Sequence, residues 1–269
     1  MALAKTEALV LKTFNWSESS RTVVFFGRAC GKLALVDKAG RRLNSRRGRI
    51  IPFARLEITY YASEKETRGY ISDVDLVESF ELAGEGSLGR LAYASAGCEL
   101  LRLLLPEEEP QAVLYDYFVH YLRHMNGAKR RCLPAVFVAF ALRTVSDLGY
   151  HPSLEFCCGC GRPVAAEGDE GAGSNGGPLM FCAERGGVVC PTCQSPGDCY
   201  IPTTPERLRL LAALQRASLN EAAGVPLSYA EASELVELLT SFLKHQTGLR
   251  ADLKSLEFLE KLKNTPLNE

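Results

Sequence analysis

Two pairs of cysteines constrain this chain more than anything else in it. Cys157-x-x-Cys160 and Cys190-x-x-Cys193 each set two thiols two residues apart. At that spacing both sulfurs of a pair can face one ion while backbone N–H groups turn towards them. Zn2+ accepts four such ligands in a tetrahedron, and four thiolates leave no open position for water, so a metal held this way is structural rather than catalytic. The 29 residues between the pairs exceed the spacing of roughly 15–20 usual for such sites. Glu167–Pro178, however, is a twelve-residue stretch with five glycines and three acids, and setting it aside as a solvated excursion leaves 17. The expected ligands are therefore Cys157, Cys160, Cys190 and Cys193. Cys182 is a competitor for the site, and Cys158 points elsewhere. The bland alternative is a set of unligated thiols or a redox pair.

Seven of the ten cysteines lie between Cys157 and Cys199, and the other three (Cys30, Cys98 and Cys132) are scattered through apolar segments. Those three are expected to pack as small apolar side chains. The first residues, MALAKTEALV, carry Lys5 and Glu7 and lack the apolar core of a secretory signal. A reduced, cytoplasmic setting is expected, which argues against a disulfide framework. With 46% hydrophobic and 23% charged residues the 269-residue chain has the balance of a globular protein. Its longest apolar run, Leu133–Leu142, is too short for a bilayer span of about 20 residues.

The net charge of −1 hides an asymmetry: residues 1–80 hold 14 basic and 9 acidic side chains, a balance of +5, and the rest carry −6. Lys38, Arg41, Arg42, Arg46, Arg47 and Arg49 put six cations into 12 residues with no acid. Arginines on such a connection can fork onto phosphates, with Asn44 and Ser45 as neutral donors. Phe53, Tyr60 and Tyr70 are candidate stacking platforms for unpaired bases. A solvated charge run is the competing reading.

The first 80 residues read as five strands: Glu7–Thr13, Thr22–Phe26, Lys32–Val36, Arg55–Tyr61 and Tyr70–Val77. Five strands without a helix suggest a small closed barrel, OB-like or SH3-like. Helical periodicity then takes over. Leu88, Leu91, Ala92, Leu100, Leu101 and Leu104 mark one helix that Pro106 stops, and Val113, Leu114, Tyr117, Phe118, Tyr121 and Leu122 mark a second. Pro134 opens a third, apolar nearly all round, which Gly149 and Pro152 end. After the cysteine segment, Thr204-Pro205 and Ser228-x-x-Glu231 announce two capped helices, and Leu253–Leu262 forms a last amphipathic stretch. The helices on both sides of the cysteine segment are expected to share one core.

Little points to catalysis. There is no phosphate-binding Gly-x-x-x-x-Gly-Lys-Ser/Thr loop and no Gly-x-Ser-x-Gly elbow. His120 and His124 share a helix face without the Glu of a zinc-protease motif, Glu107–Glu109 reads as a solvated turn, and Trp16 begins a turn as a packing residue. No enzymatic activity is expected. The competing readings are a nucleic-acid-processing enzyme with a zinc-ribbon insert, which would need a carboxylate cluster or phosphate loop, and a protein-binding scaffold.

Taken in order, Ala8-Leu-Val-Leu, Trp16-Ser-Glu-Ser-Ser20, Gly31-Lys-Leu-Ala-Leu-Val36 and Pro52-Phe53 resemble the start of the bacterial RecO family of recombination mediators. So do Leu148-Gly-Tyr-His-Pro152 leading into Cys157-x-x-Cys160-Gly161, Gly186-Gly-Val-Val-Cys190-x-x-Cys193, and Leu253-Lys-Ser255 with Phe258-Leu259. The resemblance implies a multidomain α+β chain. An N-terminal OB-fold β-barrel (1–80) would be followed by a helical bundle (81–150 and 201–269) with an inserted four-cysteine zinc-binding module (151–200). It implies binding of single- and double-stranded DNA, strand annealing, and loading of RecA together with RecR on DNA coated by single-stranded-DNA-binding protein. It also implies a nucleoid-associated place in the cytoplasm, without a membrane. Two positions depart from the family's pattern: Ala39-Gly40 stand in reversed order, and Leu256 replaces an Arg that often follows Lys-Ser.

Overall fold

The computed structural model describes residues 2–15, 18–38, 50–62, 69–84, 86–164, 178–248 and 253–264. All five expected strands form: β1 (Ala2–Asn15), β2 (Arg21–Gly27), β3 (Gly31–Asp37), β4 (Ala54–Ala62) and β5 (Gly69–Ser79). They close into a barrel of order β1-β2-β3-β5-β4, an OB-like arrangement of five strands. β1 is longer than its sequence pattern suggests because its two halves serve different neighbours. Ala2–Leu9 pairs antiparallel with β4, and Ala8–Asn15 pairs with β2. A register shift between Val10 and Lys12 lets the consecutive Val10 and Leu11 both be buried. The barrel interior is filled by Ala8, Val10, Val23, Phe25, Leu33, Leu35, Leu56, Ile58, Ile71 and Val74.

By contacts the chain divides into two compact units, Met1–Gly127 and Ala128–Glu269. The first unit adds α1 (Ser87–Leu104) and α2 (Ala112–Gly127) to the barrel. α1 ends where Pro106 removes the next donor, with the Leu105 N–H closing on Leu101. Arg90, buried on α1, donates to the carbonyls of Met125 and Asn126 at 2.7 and 2.9 Å. A cation at the C-terminus of α2 satisfies orphan carbonyls and complements the helix dipole. Leu88, Leu91 and Val113 lie exposed rather than on the buried stripes to which their spacing assigns them.

In the second unit α3 (Leu133–Asp147) is buried along most of its length. It packs against α4 (Pro205–Arg216), α5 (Leu219–Ala222) and α6 (Tyr229–Gln246). Helices before and after the cysteine segment thus share a core here. Thr204 caps α4, and Ser228 with Glu231 forms a capping box on α6, as the sequence leads one to expect. α7 (Lys254–Asn264) follows, and its Leu256 is buried, so the residue that departs from the family pattern serves packing. Between α3 and α4 lies a sheet of order β7-β6-β8, made of β6 (Leu179–Cys182), β7 (Gly187–Val189) and β8 (Ile201–Thr203). Among the described residues, no helix is long and apolar enough to cross a membrane.

Candidate metal centre and nucleic-acid interface

The cysteine cluster is built by the β6–β7 hairpin and the segment leading from α3. Gly186 takes a positive φ of 79° in the hairpin turn. At Gly187 a Cβ would stand 2.2 Å from the Ser153 carbonyl oxygen. This close approach lets the Ser153 N–H donate to Gly186, the Val188 N–H to Ser153, and the Cys158 N–H to Val188. The first knuckle is thus laid along the free edge of β7, immediately before Cys190 begins the second. Gln246, at the end of α6, donates to the carbonyls of Ala183 and Glu184 and braces the turn.

The Sγ atoms of Cys157, Cys160, Cys190 and Cys193 all lie within 4.8 Å of one another, and those of Cys160 and Cys190 are 3.9 Å apart. A tetrahedron with metal–sulfur bonds of about 2.3 Å has sulfur–sulfur edges of about 3.8 Å, so the donor set fits a metal ion of that class. The N–H groups of Gly159 and Cys190 each donate to Cys157 Sγ at 3.3 Å. Burial would raise the Cys157 thiol, but N–H donors from Cys190, Cys160 and Gly159 outweigh it and bring the group down to about 6, while hydrogen bonds with Cys190 and Cys160 push the neighbouring Cys193 thiol up to about 12. Gly159 is required sterically, because a Cβ there would come within 2.7 Å of Cys193 Cβ.

The two knuckles are therefore brought together as their spacing suggests. Cys182, buried in β6, and the exposed Cys158 and Cys199 stand outside the four. Sequence reasoning missed the brace on the second knuckle. Arg185 donates to the Cys193 carbonyl at 3.0 Å and pairs with Asp198 at 3.1 Å, while the Tyr200 hydroxyl donates to the same Asp198 carboxylate.

On the barrel, the basic segment begins at the exposed Lys38, whose ammonium lies 3.7 Å from the centre of the Tyr70 ring. Arg41, Arg42, Ser45, Arg46, Arg47 and Arg49 lie outside the described residues, as does Trp16. Both stems of the segment are tied to Arg21. Its Nε donates to the fully buried Asp37 carboxylate at 2.8 Å, and its second nitrogen donates to the Ile50 carbonyl at 3.3 Å. Among the described residues, several other barrel cations are engaged locally: Lys5 with Glu57, Arg28 with Asp116, and Arg55 with Glu7 and Glu78. Residues 39–49 hold five arginines and no acid, so the whole +5 excess of residues 1–80 resides there.

Of the aromatic candidates, Phe53 is half-buried in a left-handed turn. Tyr60 is half-buried beside Cys30, and burial with that thiol pushes its hydroxyl up to about 12. Neither presents an open ring. His120 is exposed on α2 and Glu107–Glu109 are exposed, in keeping with surface roles.

Comparison with known proteins decides the family. Residues 1–80 match the family described as "Recombination protein O N terminal", and residues 85–257 match "Recombination protein O C terminal". The chain belongs to the RecO family. It is 31% identical over 265 residues to the DNA repair protein RecO of Symbiobacterium thermophilum, covering 98% of this chain and 99% of that one. It is 32% identical over 268 residues to that of Anaeromyxobacter dehalogenans (97% and 98%) and 25% identical over 263 residues to that of Bacillus pumilus (97% and 95%). RecO membership gives the chain a role in DNA repair and recombination.

Proposed function

We infer that this chain is a non-catalytic recombination mediator that binds single- and double-stranded DNA through Lys38, Arg41, Arg42, Ser45, Arg46, Arg47 and Arg49, and anneals complementary strands. The observation that carries this is the charge distribution. A near-neutral chain concentrates an unopposed +5 in one eleven-residue connection between two barrel strands. Annealing two polyanions needs a surface that screens phosphate repulsion without gripping bases. Arginines on a single connection meet that need, and nucleotide hydrolysis is not required. In line with its relatives' name, the chain would act in DNA repair, and the family resemblance extends this to loading RecA, together with RecR, onto DNA coated by single-stranded-DNA-binding protein. Cys157, Cys160, Cys190 and Cys193 would hold one Zn2+ that fixes the second unit's hairpin.

The test is a quadruple variant with Arg41, Arg42, Arg46 and Arg47 changed to Ala. It should fold normally, bind single- and double-stranded DNA more weakly, and lose annealing activity without added ATP or divalent metal. Each phosphate contact removed should flatten the log–log salt dependence by about 0.7–0.9. Unchanged binding with an unchanged slope would reduce the segment to a solvated charge run. Activity that demanded ATP or a divalent metal would favour the enzyme reading.

A further inference from the structure

The outer face of the barrel carries an aromatic and apolar row of which the sequence singles out only Tyr70. Leu3, Tyr61 and Tyr70 are direct register partners across the three neighbouring strands β1, β4 and β5. Paired residues in adjacent strands point to the same side of the sheet, with Cβ atoms about 4.5–5.5 Å apart. Leu3 is 61% and Tyr61 41% exposed, unusual for an apolar and an aromatic residue set side by side. Tyr70 carries Lys38 over its ring, so the first cation of the basic segment is held at this row rather than elsewhere on the barrel.

The rows that follow along the same face are of opposite character. Lys5 lies opposite Thr59 and then Asp73, and Glu7 lies opposite Glu57 and then Asp75. Those carboxylates would repel a phosphate backbone and confine it to the end of the barrel where Lys38 stands.

We propose that Tyr61 is a stacking platform for an unpaired base of single-stranded nucleic acid, flanked by Leu3 and with Lys38, seated on Tyr70, meeting the adjacent phosphate. This deepens the DNA-binding reading by giving the barrel a contact that only a single strand can use, since a base within a duplex has no free face to offer. It rests on that reading. The occupant is argued from charge: the row adjoins a basic segment without acids and is bounded on its other side by acids. An unpaired strand offers base faces and phosphates side by side, which matches an aromatic row next to cations more fully than a protein surface does.

The experiment compares Tyr61→Ala, Tyr61→Phe and the wild type for binding to oligo-dT and to a duplex across a salt series. Tyr61→Ala should lose about 5- to 150-fold in affinity for oligo-dT, the range expected when one stacked base loses its partner. Its salt slope should not change, because no phosphate contact has been removed. Duplex affinity should stay at the wild-type value, and Tyr61→Phe should restore single-strand binding. In a Tyr61→Trp variant, oligo-dT should quench the indole fluorescence.

The stacking assignment is overturned if Tyr61→Ala binds oligo-dT as tightly as the wild type. It is equally overturned if single-strand and duplex affinity fall together, or if the substitution changes only the oligomeric state. A wild-type protein that bound neither nucleic acid would instead sink the DNA-binding reading itself.

Discussion

Gly31 opens β3 with a φ of 74°, and a Cβ there would stand 2.1 Å from the Glu109 carbonyl oxygen. The acidic turn after α1 is folded back onto this glycine, with the Glu108 N–H donating to the Lys32 carbonyl at 2.9 Å. Glu108 itself takes a φ of 57°, so the turn is already strained and has little room to retreat. Gly31→Ala should therefore cost about 2–4 kcal/mol, combining a left-handed backbone penalty with a clash against main chain. Gly84, at φ 90° with open space around its would-be Cβ, isolates the backbone part, and Gly84→Ala should cost about 1–2 kcal/mol. Urea unfolding of the two variants measures the difference, and equal losses would show that the acidic turn yields. Sequence alone reads Glu107–Glu109 as a mere solvated turn. Its exposure is legible there, but its attachment to Gly31 is not, because that depends on backbone approach across 78 residues of chain.

Between elements, α2 is tied to β5 by Arg123, which donates to both carboxylate oxygens of Glu78 at 3.0 and 2.8 Å. The hydrogen bond from Arg123, with lesser help from Arg55, holds the Glu78 carboxyl below its ordinary 4.5. The folded state thus prefers the charged form more than the unfolded chain does. Its contribution is fully present above pH 4.5 and is lost as pH falls through the lower folded value. Because the pair is partly exposed, the contribution is about 1 kcal/mol or less. Glu78→Gln should lower the urea midpoint at neutral pH, and the gap to wild type should close in acid. A gap independent of pH would mean that packing rather than charge is at stake. Elements of this length are readable because their period repeats. Those of three and four residues are not: β6, β7 and β8 offer too few residues to show alternation, and Ile201–Thr203 even contains a proline. The capping box Ser218-x-x-Glu221 that starts α5 is visible in the sequence but introduces a helix too short to carry an apolar stripe. Tyr60 continues the inward alternation of β4 and packs against the barrel core, which leaves Tyr61 on the outer side. The extra residue at the register shift between Thr59 and Tyr60 lies on β5, where Thr59 faces Asp73 and Tyr60 faces Ile71, so the outward place of Tyr70 is not readable from β5 alternation alone.

For the whole molecule, the division into Met1–Gly127 and Ala128–Glu269 sets the expected effect of metal loss. The four-thiol cluster belongs wholly to the second unit, and ligation energy in such sites is folding energy. Cys190→Ser, or chelation of the wild type, should lower zinc content from near one per chain. It should also lower thermal stability and weaken hydrogen-exchange protection in Leu179–Val189, with the barrel strands unaffected. Cys158→Ser should spare the metal, and so should Cys182→Ser despite its buried thiol. Elemental analysis with amide exchange checks this, and zinc lost from Cys182→Ser but kept in Cys190→Ser would overturn the ligand set. The pairs announce themselves because ligation imposes a spacing. The brace from Arg185 to Asp198 does not, because nothing in a lone arginine tells which carbonyl it will find. The Arg21 tie to Asp37 and Ile50 has a different kind of consequence. With Asp37 and Ile50 held to one residue, the two stems of the basic segment stand together. On the proposed DNA-binding reading, a polyanion that meets one of its arginines would meet the next at a high effective concentration, because so few residues separate them in sequence. Inserting neutral residues between the arginines should dilute them relative to one another without altering their number, making avidity adjustable by chain length alone.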